Sequence, residues 1–230
     1  MRTKTFYIFI ILFLSIMTQT ISAQDWANLN RYKIENAALT TPSENENRVV
    51  FMGNSITEAW STFDPNFFRD HHYINRGISG QTTPQMLLRF RADVINLKPD
   101  VVVILAGTND LAENTGPIDD ESIMNNIISM VQLAKVNDIK VVLCSVLPAY
   151  DFPWKPGLHP DKKIPILNDL IKKYADENAI EYSDYFSAMV GDKNNLNGDY
   201  THDGVHPNAK GYQIMAPIAQ EALVKTLKKQ

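Results

Sequence analysis

The chain has 230 residues, 44% of them apolar and 21% charged, with a formal net charge of −4. That is the make-up of a single globular domain with a sizeable core, and its acidic balance gives no electrostatic reason to seek nucleic acid or anionic membrane. The lone Cys144 excludes an intrachain disulfide framework.

Arg2 and Lys4 precede an apolar run from Phe6 to Met17, and Ile21-Ser22-Ala23 then stands before Gln24. A positive start, a short apolar stretch and small residues at a cut after Ala23 read as a secretory signal peptide over 1–23. The run is about twelve residues, short of the roughly 20 that cross a bilayer, so no membrane insertion is expected once the leader is removed. Its removal takes away two positive charges and leaves a mature chain of about −6. The expected product is one secreted or periplasmic bacterial domain over 24–230, and the sequence carries no signal for an oligomeric state.

Residues 24–46 are polar and partly helical in pattern, with Trp26, Leu29, Tyr32 and Ile34 as expected core contacts. Val49–Met52 is an apolar strand that turns at Gly53 into Asn54-Ser55, with a helix or helical turn from Glu58. Asp64–Asp70 reads as a loop with Phe63, Phe67 and Phe68 available for packing. Tyr73–Gly77 is a second strand, and Pro84 at the first helical position opens a helix to about Leu97. Val101–Ala106 is a solid apolar strand, Asp119–Val136 a helix, and Ile139–Val146 a fourth strand in which Cys144 is a buried structural thiol. The loop 147–162 carries four prolines among Tyr150, Phe152 and Trp154. Ile164–Asn178 is a helix, Ile180–Tyr185 a weaker strand, 187–207 irregular, and Asn208–Lys228 a final helix.

Apolar strands alternating with helices predict one parallel sheet covered on both faces, a three-layer α/β/α arrangement. No G-x-G-x-x-G follows a strand and no G-x-x-x-x-G-K-[ST] occurs, so dinucleotide and P-loop readings fail and no cofactor is expected. In such a sheet ligands bind outside the carboxyl ends of the strands. The segments delivered there are Gly53-Asn54-Ser55, Ser79-Gly80-Gln81, Gly107-Thr108-Asn109-Asp110, the proline-aromatic loop, and Thr201–Pro207.

Ester cleavage needs a nucleophile, a base, a group that orients the base, and donors for the oxyanion. Ser55, His206 and Asp203 fill the first three roles. The backbone N–H groups of Ser55 and Gly80 and the side-chain amide of Asn109 fill the fourth. Taken singly, each is an ordinary turn, cap or surface residue; the signal is their joint occurrence at strand ends.

These segments resemble the characteristic blocks of the SGNH (GDSL-type) hydrolases. Gly53-Asn54-Ser55-Ile56-Thr57 is similar to the nucleophile block, with Asn54 where many members have Asp. Gly80, Asn109 and the Asp203-Gly204-Val205-His206-Pro207 run match the remaining three. The resemblance implies a flavodoxin-like five-stranded parallel sheet of order 2-1-3-4-5 and acyl transfer through a serine.

His202, Asp203 and His206 cluster, but no His-Glu-x-x-His or cysteine cluster accompanies them, so no metal is expected. Asn54, Tyr150, Phe152 and Trp154 are the expected substrate contacts, the rigid aromatics suiting a sugar face or an acyl chain. The reading is an esterase for small acyl groups, chiefly acetyl, on a glycan or small-molecule ester. The alternatives are a lysophospholipase or thioesterase, and a non-catalytic carbohydrate-binding protein on this fold.

Overall fold

The computed structural model describes residues 25–43 and 46–228; the expected signal peptide lies outside them. Five strands form one parallel sheet: β1 (Val49–Gly53), β2 (Ile74–Gly77), β3 (Val101–Leu105), β4 (Lys140–Cys144) and β5 (Glu181–Ser183), in the order β2-β1-β3-β4-β5. This is the expected order, with β1 in register between Gly77 of β2 and Leu105 of β3 at Gly53.

The helices are α1 (Lys33–Ala38), α2 (Ser55–Phe63), α3 (Pro65–Arg69), α4 (Thr83–Asp93), α5 (Thr108–Leu111), α6 (Asp120–Lys135), α7 (Pro160–Glu177), α8 (Tyr185–Met189) and α9 (Ala209–Lys228). Side chains alternate along a strand, so each central strand feeds two separate cores. Val50, Met52, Val102, Ile104 and Leu143 pack with Met86 and Phe90 of α4, Ile123 and Ile127 of α6, and Ile164 and Leu167 of α7. Phe51, Val101, Val103 and Val142 face the other way, onto Trp60 of α2, Phe67 and Phe68 of α3, and Tyr212 and Met215 of α9. Trp60 stacks on Phe67 with ring centroids 4.7 Å apart, and Phe51 meets both Trp60 and Phe68 edge-on. Cys144 lies in this second core, its thiol pushed up to about 12 by burial.

Three expectations need correction. The stretch 64–70 contains α3: the Asp64 carboxylate accepts from Phe67 N at 3.3 Å and Pro65 occupies the first turn, a start signal that the aromatic run obscured. Trp26, Leu29 and Ile34 are exposed, and only Tyr32 of that set is buried, donating its hydroxyl to the Gly77 carbonyl. The fourth helix begins at Thr83, one residue before Pro84, and ends at Asp93; Ile95–Leu97 continues as a 3₁₀ turn.

Gly77 is where α2 crosses β2. A Cβ there would sit 2.1 Å from the Glu58 amide nitrogen and 2.7 Å from its Cα, both backbone atoms. Gly77→Ala must push the helix off the sheet, at a cost of about 3 kcal/mol, or roughly 6–12 °C in Tm. Thermal unfolding by circular dichroism measures it, and an unchanged Tm would show that α2 moves freely.

Candidate active site

β1 leaves the sheet centre at Gly53, and Asn54 takes an extended conformation before α2 begins at Ser55. The Asn54 side-chain oxygen accepts from Ile56 N at 3.0 Å, satisfying a helix N-terminal donor that has no partner inside the helix. Asn54 is therefore a buried cap, 1% exposed, and not a substrate contact as expected. Its Nδ2 is buried with no hydrogen-bond acceptor among the described residues.

The Thr201–Pro207 segment brings a histidine to this serine. Ser55 Oγ lies 2.9 Å from His206 Nε2, and His206 Nδ1 lies 2.7 Å from Asp203 Oδ2. Asp203 Oδ1 accepts from Val205 N at 2.9 Å and from His206 N at 2.8 Å, so one carboxylate holds both the ring and the turn that carries it. Burial raises the Asp203 carboxyl, but the donors from His206 and Val205 outweigh it and keep the group below its ordinary value. The Thr201 hydroxyl donates to His206 O at 2.7 Å and accepts from Gly204 N at 3.0 Å.

Gly80 lies three residues past β2 in a turn closed by Gln81 N to Ile78 O at 3.3 Å. Its φ of +77° is the left-handed backbone that glycine adopts without penalty. A Cβ there would meet nothing nearer than Asn114 Nδ2 at 4.0 Å, so the glycine answers a conformational need rather than a crowded one. Ser79, just before it, gives both its N–H and its hydroxyl to the Glu58 carboxylate.

Asn109 sits in α5, just after β3, 3% exposed, with Nδ2 donating to Gln81 O at 3.0 Å. The neighbouring Asp110 is wholly buried and accepts from Thr83 N at 2.9 Å and Thr83 Oγ1 at 2.6 Å. Burial pushes its carboxyl up against those donors. Thus Gly80 and Asn109, in the segments that follow the two strands flanking β1, are linked through Gln81.

The proline-aromatic loop divides. Phe152 is fully buried in the core, which overturns it as a substrate contact; its ring stacks under Trp154 at 5.3 Å. Trp154 is 45% exposed, 5.9 Å from the His206 ring. Tyr150 is exposed on a cavity of about 500 Å³ shared with Pro153, Pro156, His202 and Asp203, which lies on the Asp203 side of the site and not over Ser55. Among the described residues no group of three or more His, Cys, Asp or Glu is arranged to hold a metal ion. Nor is any described helix long and apolar enough to cross a membrane.

Sequence reasoning missed the supports. Arg89, in α4, is wholly buried and donates to Gly53 O at 3.0 Å, to Asp93 at 2.9 Å and to the Gln81 side-chain oxygen. Asn168 of α7 brackets Val146 after β4, accepting from its N at 2.7 Å and donating to its O at 2.9 Å. Neither carries a local pattern that marks it; both are defined by partners far along the chain.

The model of the GDSL-like lipase/acylhydrolase family matches residues 51–214. The crystal structure of a GDSL-like lipase from Bacteroides thetaiotaomicron is 53% identical, with a TM-score of 0.85, covering 86% of this chain and 98% of that one. An acetylxylan esterase from Xylanibacter ruminicola is 25% identical over 224 residues, 81% of this chain but 45% of that protein, so the chain spans less than half of it. The platelet-activating factor acetylhydrolase IB subunit alpha2 of Rattus norvegicus is 26% identical over 80% of this chain and 79% of that one.

Asn54→Ala removes the cap of α2 and should cost about 1–2 kcal/mol, lowering Tm by roughly 3–6 °C. Asn54→Asp keeps the acceptor and adds negative charge at a helix N-terminus, so its Tm and ester turnover should stay close to wild type. A large rate loss in Asn54→Asp would mean that the amide, and not the cap, matters.

Proposed function

Because the chain belongs to the GDSL-like lipase/acylhydrolase family, we propose that it is a serine esterase removing small acyl groups, chiefly acetyl, from carbohydrate esters. The observation that carries the reading is the continuous hydrogen-bonded line from Ser55 Oγ through His206 to Asp203, at 2.9 and 2.7 Å. It stands at the carboxyl edge of a parallel sheet, where ligands of such folds bind.

In the proposed cycle His206 Nε2 takes the Ser55 proton as Oγ attacks the ester carbonyl. The imidazolium that forms faces the Asp203 carboxylate, which its backbone donors keep ionised. Charge developing on the carbonyl oxygen is met by the N–H groups of Ser55 and Gly80 and by Asn109. A carboxamide has two N–H bonds. One Asn109 N–H is spent on Gln81 O, which orients the other. Collapse expels the alcohol, which receives its proton from His206. Water then attacks the acyl-enzyme with His206 again as base, releasing the acid and restoring Ser55.

Two observations support the acyl and alcohol preferences. The acetylxylan esterase and the acetylhydrolase, whose alcohol groups differ, both carry acetyl in their names. The exposed Trp154 face beside His206 offers a flat apolar platform suited to a sugar ring. The leader read over residues 1–23 would place the enzyme outside the cytoplasm, where acetylated glycans are met.

Ser55→Ala should lower kcat/KM for p-nitrophenyl acetate by about four orders of magnitude or more; near-wild-type turnover would sink the assignment. Asn109→Ala should lower kcat by roughly 10²–10³ while leaving KM much less changed. On substrate panels, acetate release from acetylated xylo-oligosaccharides should exceed hydrolysis of p-nitrophenyl octanoate. The reverse order would favour a lysophospholipase or thioesterase, and no turnover of any ester would favour a binding protein.

A further inference from the structure

The turn after α5 reaches three parts of the site through one residue. Asn114 Nδ2 donates to Gly80 O at 3.2 Å, and Asn114 Oδ1 accepts from Trp154 Nε1 at 3.1 Å. Its backbone N–H donates to Asn109 O at 3.0 Å. A single side chain thus bridges the Gly80 turn to the indole beside His206, while its backbone is tied to Asn109. The flanking ion pair of Lys155 with Glu113, at 2.8 Å, holds the aromatic loop against the same turn.

The rest of the Gly80 turn is held from below and from the side. Gln81 is fixed by Arg89, and Ser79 by Glu58. The Gly80 carbonyl receives its bond from the open side, and Asn114 supplies it. Glycine has the widest backbone freedom of any residue, so an external bond to this peptide restricts a torsion that the residue itself leaves soft. The role also demands a carboxamide: it must accept from the indole and donate to a carbonyl at once. A carboxylate could only accept, and an aliphatic chain could do neither.

We propose that Asn114 is a positioning residue: by holding the Gly80 carbonyl it restrains the Gly80 torsions that aim the N–H on the other side of the same Cα at the oxyanion, and it couples that turn to the Trp154 face. The inference rests on the reading of Gly80 as an oxyanion donor. A leaving group packed on Trp154 would hold the indole, the indole would hold Asn114, and Asn114 would hold the Gly80 carbonyl. Transition-state stabilisation would then depend on what occupies the aromatic face, which makes Asn114 a determinant of specificity without substrate contact of its own.

The test is steady-state hydrolysis of p-nitrophenyl acetate by Asn114→Ala, Asn114→Asp, Trp154→Phe, the Asn114→Ala/Trp154→Phe double variant and Ser55→Ala. Asn114→Ala should lower kcat about five- to tenfold with KM within about twofold, the scale of one hydrogen bond to a neutral group. Asn114→Asp should fall as far, because it keeps the indole's acceptor and loses the donor to Gly80. Trp154→Phe keeps the ring and loses the indole N–H; it should lower kcat a few-fold and add nothing to Asn114→Ala. Additive losses in the double variant, a loss confined to KM, or wild-type kcat in Asn114→Asp would each overturn the positioning role. Should Asn114→Ala fail to fold, wild-type kcat in Trp154→Phe would overturn it independently. Full activity in Ser55→Ala would instead overturn the underlying serine mechanism, so the two failures are distinct.

Discussion

The guanidinium of Arg89 lies wholly buried beneath the sheet edge, donating to the Gly53 carbonyl, the Gln81 side chain and Asp93. Taking that charge out of water costs several kcal/mol unless each donor is met, and here an anion and two neutral oxygens meet it. Gly53 is the residue from which the Ser55 turn departs, and Gln81 follows Gly80. One charged group therefore sets the Ser55 turn against the Gly80 turn. Breaking the pair from either side would strand a buried charge, a loss of about 3–5 kcal/mol, so the spacing of the two turns is stiff.

The lead-in segment buries Ala27 and Tyr32 and reinforces that arrangement chiefly with polar contacts. Gln81 Nε2 donates to Ala27 O at 2.7 Å, and Asn36 Nδ2 donates to Asp93 at 2.7 Å. Tyr32 donates to Gly77 O, and the Arg76 guanidinium lies 4.6 Å over its ring. Residues that read as a polar, partly helical lead-in are an outer brace on β2 and the Gly80 turn. This explains why Trp26, Leu29 and Ile34 stay exposed: the segment is held by its carbonyls, amides and one phenol.

What was legible in the sequence follows from range. Val101–Leu105 is apolar on both faces because it lies between two cores, and that shows in five consecutive letters. Gly53-Asn54-Ser55 and the Asp203–His206 run are local too, since an Asp-x-x-His turn supplies its own hydrogen bonds. Arg89 gave no sign, because an arginine in the pattern Leu-Leu-Arg-Phe-Arg reads as the wet side of a helix, while its acceptors lie up to 36 positions away. Phe152 and Trp154 could not be told apart, two aromatics two residues apart in a proline-rich loop. Only the folded loop turns one into the core and the other toward His206. α3 was hidden for a different reason: five residues give no helical period to detect, and the Asp-Pro start was its only mark.

In the proposed site the oxyanion donors are held ready. Asn109 spends one N–H on Gln81 O, Gly80 is set by its turn, and Ser79 is bound to Glu58, all with no substrate present. Donors fixed before reaction cost no reorganisation when negative charge appears, which is where electrostatic catalysis gains most. That rigidity is built unevenly. From below it comes from buried groups, Arg89 and Asp110, whose bonds water cannot compete for. On the open face it comes from Asn114 and Trp154, both exposed, whose bonds are weakened by solvent until something covers them. A site made this way is stiff where the chemistry is common to every ester and yielding where the alcohol group must be recognised. On the proposed reading, substrate choice is concentrated on the open side, in the turn after α5 and the proline-aromatic loop.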